Sequence, residues 1–447
     1  MRKNSLLAGV AALALVAGAS GAMAQTAVTQ STTNDAAVTT NPGSITVGTG
    51  DYGLGASLSI GATGAVSSIA VTGINQTLNG PAGGFANVTQ SSTNTANGVV
   101  NNGINGDIVT GAGNAGAGTS ISVTGTGALN SLSISGIGGG NNASFAPGNV
   151  GDVIQTTTVN DALVTNAGSI GLAPSSGVVT LLGDGSSASL GATGAMASIG
   201  VTSIDAATFG ANTINSVSQT TANLGNVTNT SNGVTIGAVS GSGASVSVSA
   251  TGSAASVSVA SIGSSSVGGV TVTNALSQTV GNTSATVTNN GGTVTAGDVT
   301  GNGASVGINA TGAIASLSLT SITSNPAVNA VTAAVTQGSN NSAIITNTGT
   351  VNIGTAGAGT LTGVGSSASI SATGAASSVS ANSIADTTTA GVQSIASGAL
   401  IGQTTGNTGA VSNTGTITLA GGNIGNGASA SISATGAGSF VSFRSVK

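Results

Sequence analysis

The chain has 447 residues, of which 75 are Gly, 3% are charged and 1% are aromatic, and it contains no Cys, His, Trp or Glu. This composition excludes imidazole catalysis, thiol chemistry and a metal site built from His or Cys. The net charge is −5 and the only cations are Arg2, Lys3, Arg444 and Lys447, so the chain has no basic stripe for a nucleic acid or an anionic membrane.

The N-terminus has the pattern of an export signal. Two cations precede an apolar stretch at 6–17, and small residues at 22–24 flank the expected cleavage site. The apolar stretch is shorter than the about 20 residues that a membrane span needs. We therefore expect a signal peptide at 1–24 and an exported chain at 25–447, with no membrane span and a fold that holds together without disulfides.

The exported part is dominated by an internal repeat. A Gly-x-Gly pair is followed, nine residues after its second Gly, by a third Gly, and this spacing is the same in all seven copies. The seven triplets are Gly53/Gly55/Gly64, Gly116/Gly118/Gly127, Gly183/Gly185/Gly194, Gly241/Gly243/Gly252, Gly301/Gly303/Gly312, Gly363/Gly365/Gly374 and Gly425/Gly427/Gly436. We expect one domain of seven repeats of about 60 residues, with approximate bounds 25–84, 85–149, 150–213, 214–272, 273–331, 332–397 and 398–447.

A Gln marks the other half of each repeat. An Asn follows it four residues later in six repeats and five residues later, as Asn160, in one. A segment similar to Val287-Thr288-Asn289 comes next. The Gln positions are Gln30, Gln90, Gln155, Gln219, Gln278, Gln337 and Gln403. Side chains that recur at this period predict hydrogen-bonded ladders between stacked repeats.

The local pattern predicts β-strands. Apolar residues alternate with serines at 245–250 and again at 256–259, which is typical of strands. The segment between two such runs, for example Ala310–Ala313, is compact enough for a tight hairpin or a β-arc. We expect about four strands in each repeat, with the variable segments before each Gln forming surface loops.

Small apolar side chains favour a solenoid, because a thin core is stable when every repeat stacks on a neighbour. The expected fold is therefore all-β, an elongated β-solenoid of seven repeats of about 60 residues. With three coils in each repeat, the stack would have about 21 layers and a length on the order of 100 Å. The alternative fold is a seven-bladed β-propeller, which the scarcity of aromatic residues disfavours.

The C-terminal end has features of a cap. Phe440 and Phe443 replace smaller residues of earlier repeats, and Arg444 and Lys447 add charge. We interpret them as protection of an open strand edge; an address for secretion or docking is the alternative. The remaining aromatic residues are interpreted as local packing plugs: Tyr52, Phe85, Phe145 and Phe209.

The acidic residues are the candidates for calcium binding or for catalysis. Asp184 and Asp298 stand beside glycines, but the Asp positions do not repeat as calcium-binding β-rolls require. Asp152 and Asp161 are the nearest pair that could act on a polysaccharide. Since no repeated or clustered group supports either pair, we expect no catalytic, metal or cofactor-binding residue.

In pattern, residues 25–447 resemble secreted bacterial β-strand-repeat surface proteins, the family of solenoid adhesins and extracellular fibres. The segment 337–343, Gln-Gly-Ser-Asn-Asn-Ser-Ala, also resembles part of a curlin repeat. The resemblance implies an extracellular structural role with amyloid-like assembly, and it implies no catalytic or binding residue.

The expected function is an exported structural or adhesive component of the bacterial cell surface or extracellular matrix, not an enzyme. It would act as a rigid rod that self-assembles into fibres, outside the cell or at its surface, with the periplasm as the alternative location. Its expected partners are copies of itself, surface or matrix components, and glycans. The alternative function is a carbohydrate-active β-helix enzyme or a glycan-binding protein, which should have a cleft with clustered Asp and aromatic residues.

Overall fold

The computed structural model of the chain describes most of the repeat region. The described residues are 26–40, 45–47, 53–74, 85–102, 107–110, 114–137, 144–145, 150–172, 180–181, 184–204, 208–209, 212–230, 233–262, 270–283, 286–290, 292–322, 330–331, 334–354, 360–384, 394–395 and 400–446. The expected signal peptide, Tyr52 and most of the expected surface loops lie outside these ranges.

Each repeat contributes three short strands, and we name them after their position or landmark residue. The Gln strands are Thr26–Asn34, Phe85–Asn94, Val150–Val159, Asn212–Asn223, Val270–Asn282, Ala334–Asn341 and Ile401–Asn407. The Asn strands are Val38–Thr40, Val100–Asn102, Val164–Asn166, Val227–Asn229, Thr286–Asn289, Ile344–Asn347 and Val411–Asn413. The third strands are Ile45–Val47, Asp107–Thr110, Ser169–Leu172, Gly233–Val239, Thr293–Val299, Thr350–Ile353 and Thr416–Leu419.

A fourth, long strand of 18 residues completes each repeat. The long strands are Ser57–Ile74, Ser120–Ile137, Ser187–Ile204, Ser245–Ile262, Ser305–Ile322, Ser367–Ile384 and Ser429–Val446. Eight strands of two residues are added at the rims: Asn114–Ala115, Ser144–Phe145, Thr180–Leu181, Thr208–Phe209, Ala330–Val331, Thr360–Leu361, Ser394–Ile395 and Asn423–Ile424. We call the four principal strands of one repeat a rung and number the rungs 1 to 7 along the chain.

Within a rung, the long strand runs back along the three short strands. In rung 5, Ile308 belongs to the same apolar cluster as Val294 of the third strand. Further along, Ala310 clusters with Val287 of the Asn strand, and Leu317 clusters with Leu276 of the Gln strand. The rung is therefore a flattened coil, elongated in cross-section, with a thin apolar interior between two layers.

Successive rungs are joined by parallel strand pairing in register. The seven long strands form one sheet in chain order, and Ser245 of rung 4, for example, pairs with Ser305 of rung 5. The Asn strands form a second seven-stranded sheet, and the Gln and third strands anchor two larger ones. The fold is thus all-β, a β-solenoid of seven repeats, as the sequence predicts, and the propeller alternative is wrong because every described strand pair is parallel and joins neighbouring repeats.

The number of layers differs from the expectation. One repeat forms one coil and not three, because each long strand pairs directly with the long strands of the repeats before and after it. Seven layers separated by about 4.8 Å give a stack about 29 Å high instead of 21 layers and 100 Å. All of the about 60 residues of one repeat go once around a single wide coil.

The expected hairpin at Ala310–Ala313 is also wrong. These residues lie inside the continuous long strand Ser305–Ile322. The inward residues have even numbers up to Gly312 and odd numbers from Ala313 onward, so two consecutive residues face the interior. The apparent break in the alternation is a change of phase within one strand and not a reversal of the chain.

Close approach between rungs explains the invariant glycines. Gly303, the second of its triplet, has a φ of +67° in the turn before the long strand, where a side chain would be strained. A Cβ on Gly301 would overlap the carbonyl oxygen of Gly241 in the preceding rung, and a Cβ on Gly312 would overlap that of Gly374 in the next. Because the spacing of nine residues is fixed, the turn and the phase change of each rung lie directly beside those of the neighbouring rungs.

Candidate functional site: ladders, outer face and terminal rung

The Gln side chains form one ladder through all seven rungs. In rungs 2 to 7, each Gln donates from Nε2 to Oε1 of the Gln in the preceding rung, over distances from 2.7 to 3.3 Å. The second hydrogen of Nε2 reaches the facing long strand; Gln219, for example, donates to the carbonyl oxygen of Ser256 at 3.0 Å. Gln219 is only 1% exposed, so the ladder is a buried polar network that ties rungs together and closes each coil.

The Asn at the end of the Gln strand forms a second ladder, which has the opposite direction. Asn223, Asn282 and Asn341 each donate from Nδ2 to Oδ1 of the Asn in the following rung, at 2.7 to 2.9 Å. In rung 1, Asn34 donates to Asn94 of rung 2 in the same way, at 2.8 Å.

This second ladder is interrupted in rung 3. Val159, and not Asn160, occupies the ladder position, because Val159 pairs with Asn94 on one side and Asn223 on the other. Its side chain cannot donate, and the buried Oδ1 of Asn223 has no hydrogen-bond partner in the described part of the chain. The sequence-based assignment of Asn160 to the ladder is therefore wrong, since spacing alone did not reveal the replacement.

The Asn strands supply a third buried column. Its members Asn102, Asn166, Asn229, Asn289 and Asn347 are fully buried. They donate mainly to carbonyl oxygens of the long strand; Asn347, for example, donates to Ser371 at 2.9 Å and to Ile308 at 3.2 Å. The accepting carbonyl groups lie three or four residues before the Gly of the phase change, so this column joins the Asn strands to the first half of each long strand.

The outward face of the long-strand sheet carries regular columns of hydroxyl groups, and we call it the hydroxyl face. One column is Thr63, Thr126, Thr193, Thr251, Thr311, Thr373 and Thr435; a second is Ser57, Ser120, Ser187, Ser245, Ser305, Ser367 and Ser429. Neighbouring residues of one column belong to adjacent rungs, whose strands are about 4.8 Å apart. The hydroxyl face is uncharged within the described residues, apart from Arg444 at its C-terminal edge.

Four of the described acidic residues link rungs. Asp35 accepts hydrogen bonds from Thr95 and Asn97, and Asp152 accepts from Asn215 at 2.7 Å and Ser216 at 2.6 Å. Ser242 donates its backbone N–H to Asp184 at 2.9 Å. Thr360 donates its N–H and its hydroxyl to Asp298, at 2.9 and 3.0 Å. In every case the donors belong to the next rung. Sequence reasoning missed this role; the signal is a Ser, Thr or Asn about one repeat after each Asp.

These bonds affect two carboxyl groups electrostatically. Hydrogen bonds from Ser216 and then Asn215 lower the pKa of Asp152, and hydrogen bonds from Thr95 and Asn97 lower the pKa of Asp35. Both carboxyls are near the surface, so the effect on stability is small.

The suggested pair Asp152 and Asp161 does not form a site. Asp152 is near the start of the strand Val150–Val159 and Asp161 follows its end, where it has a φ of +53°. About 23 Å of extended strand from Asp152 to Val159 separates them, whereas paired glycosidase carboxyls are about 5 to 10 Å apart. No group of three or more metal-ligating residues occurs among the described residues.

Rung 7 differs from the interior rungs because it has a neighbour on one side only. Its inward Ile432 is 51% exposed and its inward Val441 is 49% exposed. Phe440 is on the outward side and Phe443 on the inward side, and both remain more than half exposed. Because the rung's inward Ile432 and Val441 stay about half exposed beside them, the expectation that these Phe residues protect the edge stays a prediction.

Phe145 and Phe209 pair through their backbones in a two-stranded sheet, and Phe85 begins a Gln strand. The side chains that were interpreted as packing plugs at these three positions lie outside the described part of the structure. In the part of the chain that the structure describes, no helix is long and apolar enough to cross a membrane. Comparison with protein-family models, curated proteins and solved structures finds no match to this chain.

Proposed function

We propose that the protein is an exported structural or adhesive component of the bacterial cell surface or extracellular matrix. The observation that carries this proposal is the continuity of the stack: one Gln ladder and the same outward columns of hydroxyl groups run through all seven rungs. Such an assembly gives a stiff body with one chemically uniform face. Its stiffness comes from main-chain and amide ladders, which suits a passive mechanical role.

A carbohydrate-active enzyme is the weaker candidate. A glycosidase needs two carboxyls on either side of one bond, and Asp152 and Asp161 lie at opposite ends of a strand. The four hydrogen-bonded Asp residues described above accept bonds from the next rung, so their carboxylates serve the stack. Glycan binding without catalysis would use the hydroxyl face and is compatible with an adhesive role.

The proposal is tested by locating the chain and removing it. Antibodies raised against the purified chain should label intact cells or the surrounding matrix, and protease added to intact cells should remove the signal. Deleting the gene should weaken cell cohesion or attachment. A copy whose export signal is disrupted by Ala8→Asp, Ala11→Asp and Ala14→Asp should not restore it. Retention in the cytoplasm, or turnover of a polysaccharide by the purified chain, would overturn the proposal.

A further inference from the structure

We infer that rung 7 is a docking surface for rung 1 of a second copy of this chain, so that copies stack head to tail and continue the solenoid. This inference deepens the proposed function, on which it rests, by naming the partner and the two surfaces that meet. It starts from the exposed inward side chains of the last rung.

The open face of rung 7 has the same chemistry as the face that each interior rung offers to its successor. Its inward Ile432 pairs with Ile370 of rung 6, which is fully buried because rung 7 covers it. Three further apolar side chains of rung 7 are about half exposed in the described structure: Ile424, Val441 and Phe443. A surface of this kind is completed by another rung with the same pattern.

The direction of the Gln ladder selects rung 1 as that partner. Every Gln of rungs 2 to 7 donates to the preceding rung. Gln403 thus donates to Gln337 at 2.8 Å, and its own Oε1 receives no donor from the described residues. At the other end, Nε2 of Gln30 donates to the carbonyl oxygen of Ser68 at 3.3 Å. The second hydrogen on Nε2 of Gln30 is therefore available to donate to Oε1 of Gln403 in another copy.

The Asn ladder makes the same selection with the opposite polarity. Asn407 of rung 7 accepts from Asn341 and donates to the carbonyl oxygen of Gly409 at 2.8 Å, which leaves one Nδ2 hydrogen. Asn34 of rung 1 donates to Asn94, and no described residue donates to its Oδ1. A copy docked in register therefore matches one donor with one acceptor in each ladder, whereas contact between two copies of rung 7 would match neither.

The contact is heterologous, because two different surfaces meet and each copy leaves one of each free. A repeated heterologous contact without closure gives an open filament. The stack would add seven rungs, about 34 Å, for each copy. Parallel in-register pairing would continue along the filament as it does within one chain.

Gly436 provides a variant that should block docking and preserve the chain. In rungs 1 to 6, a Cβ at the corresponding Gly would overlap the next rung, as at Gly374 with the carbonyl oxygen of Gly436. A Cβ at Gly436 itself meets only Nδ2 of Asn407, at 3.6 Å, which is ordinary contact. Gly436→Ala should therefore leave the folded monomer unchanged and place a methyl group where rung 1 of the second copy must lie.

The test is sedimentation velocity of the exported form over a range of concentrations, with electron microscopy of the largest species. The wild-type chain should form linear oligomers, Gly436→Ala should need at least tenfold higher concentration, and Ser433→Ala, an outward change on the same strand, should behave as wild type. Circular dichroism at low concentration checks that all three chains fold. A wild-type chain that stays monomeric, or unchanged assembly of Gly436→Ala, would overturn the inference.

Register is tested independently by disulfide cross-linking, because the chain has no Cys of its own. Ser59 and Ser431 occupy the same outward column in rungs 1 and 7, so Cys residues there would lie about 4.8 Å apart between stacked copies, within disulfide reach. The double variant should give a ladder of covalent multimers on oxidation. The control with Ser59→Cys and Ser442→Cys should give no such ladder, and equal cross-linking of both double variants would contradict in-register stacking.

The outcomes separate this inference from the proposed function. A chain that stacks in solution but remains inside the cell would remove the proposed function and keep the docking surface. A chain that is found at the cell surface but remains monomeric would do the reverse.

Discussion

The same nine residues, Ser-Ala-Ser-Ile-Ser-Ala-Thr-Gly-Ala, occur in rung 6 at 367–375 and in rung 7 at 429–437, and their surroundings differ. Ile370 is fully buried, whereas Ile432 is 51% exposed. Both have the same local sequence, lie in the same kind of strand and pair with each other. Burial in this protein is therefore a property of the neighbouring rung and not of the local sequence.

This difference locates the source of stability. A single coil has two thin layers and buries little apolar surface by itself, so the interior becomes protected only when another coil covers it. The buried side chains are mainly Val, Ile, Ala and Leu, together with the amides of the ladders. Identical substitutions in rungs 6 and 7 should consequently have unequal effects.

The largest expected effect comes from removing an Ile. Ile370→Ala should destabilise the chain by about 2 to 5 kcal/mol, because it leaves a cavity between rungs that are held apart by their backbones. Ile432→Ala, in the same sequence context, should cost less than about 1 kcal/mol, since its side chain is half exposed. Chemical denaturation at low protein concentration measures both; equal losses would show that the rungs are independently packed.

A second matched pair adds one methyl group. Gly374→Ala should destabilise by about 1 to 3 kcal/mol, because its Cβ would overlap the carbonyl oxygen of Gly436 and Oδ1 of Asn407. Gly436→Ala should stay within about 0.5 kcal/mol of wild type at low concentration. If thermal unfolding gave the same midpoint for both variants, the distance between the rungs would have to be larger than the structure has it.

The interrupted Asn ladder offers a change that should stabilise an interior rung. Val159→Asn gives Oδ1 of Asn223 a donor and should add about 0.5 to 1.5 kcal/mol. Val159→Ala serves as the control and should destabilise, because it removes apolar contacts with Ala128 and Ala162 without adding a donor. A loss of stability in Val159→Asn would mean that this apolar cluster contributes more than the missing bond.

The smallest expected effect concerns pH. The pKa of Asp152 is lowered in the folded chain, so the ionised carboxylate stabilises the fold above its unfolded-state pKa. This contribution disappears as the pH falls from about 4 through the lower folded-state value. The midpoint difference between wild type and Asp152→Asn should thus be small at pH 7 and shrink as the pH falls below about 4. Ser216→Ala should reduce it, and a difference that grew in acid would contradict the assigned hydrogen bonds.

Much of the fold could be predicted from the sequence. In stacked repeats, equivalent positions make the same contacts, so the same residue types recur at the period of the repeat. The glycine triplets revealed the seven repeats, and the recurring Gln revealed a ladder that the structure contains. Alternation predicted the strands, since side chains of a strand point alternately to its two faces.

The number of coils in each repeat was not accessible in the same way. Alternation shows that a segment is extended, but it does not show which strand lies beside it. The segment Ala310–Ala313 has the small residues of a turn, yet in the structure it is the point where a continuous strand changes phase. The replacement at Val159 was hidden for a related reason, because an Asn one residue later preserved the appearance of the motif.

Correspondingly, the open end of rung 7 could not be recognised from composition. Phe440 and Phe443 look like a cap when only the sequence is considered, because large apolar residues often close a repeat stack. In the structure, Phe440 lies on the outward side and Phe443 on the inward side, and both are more than half exposed. The pairing with the preceding rung is what shows which side chain is outward and which is inward.

The central claim, one coil for each repeat, is tested most directly by one distance. Spin labels on Cys residues introduced at Ser59 and Ser431, in a dilute chain that also carries Gly436→Ala, should give a pulsed dipolar distance near 29 Å, which is six layers of about 4.8 Å. Three coils in each repeat would separate the same two labels by eighteen layers, about 86 Å. A distance in that longer range would contradict the account.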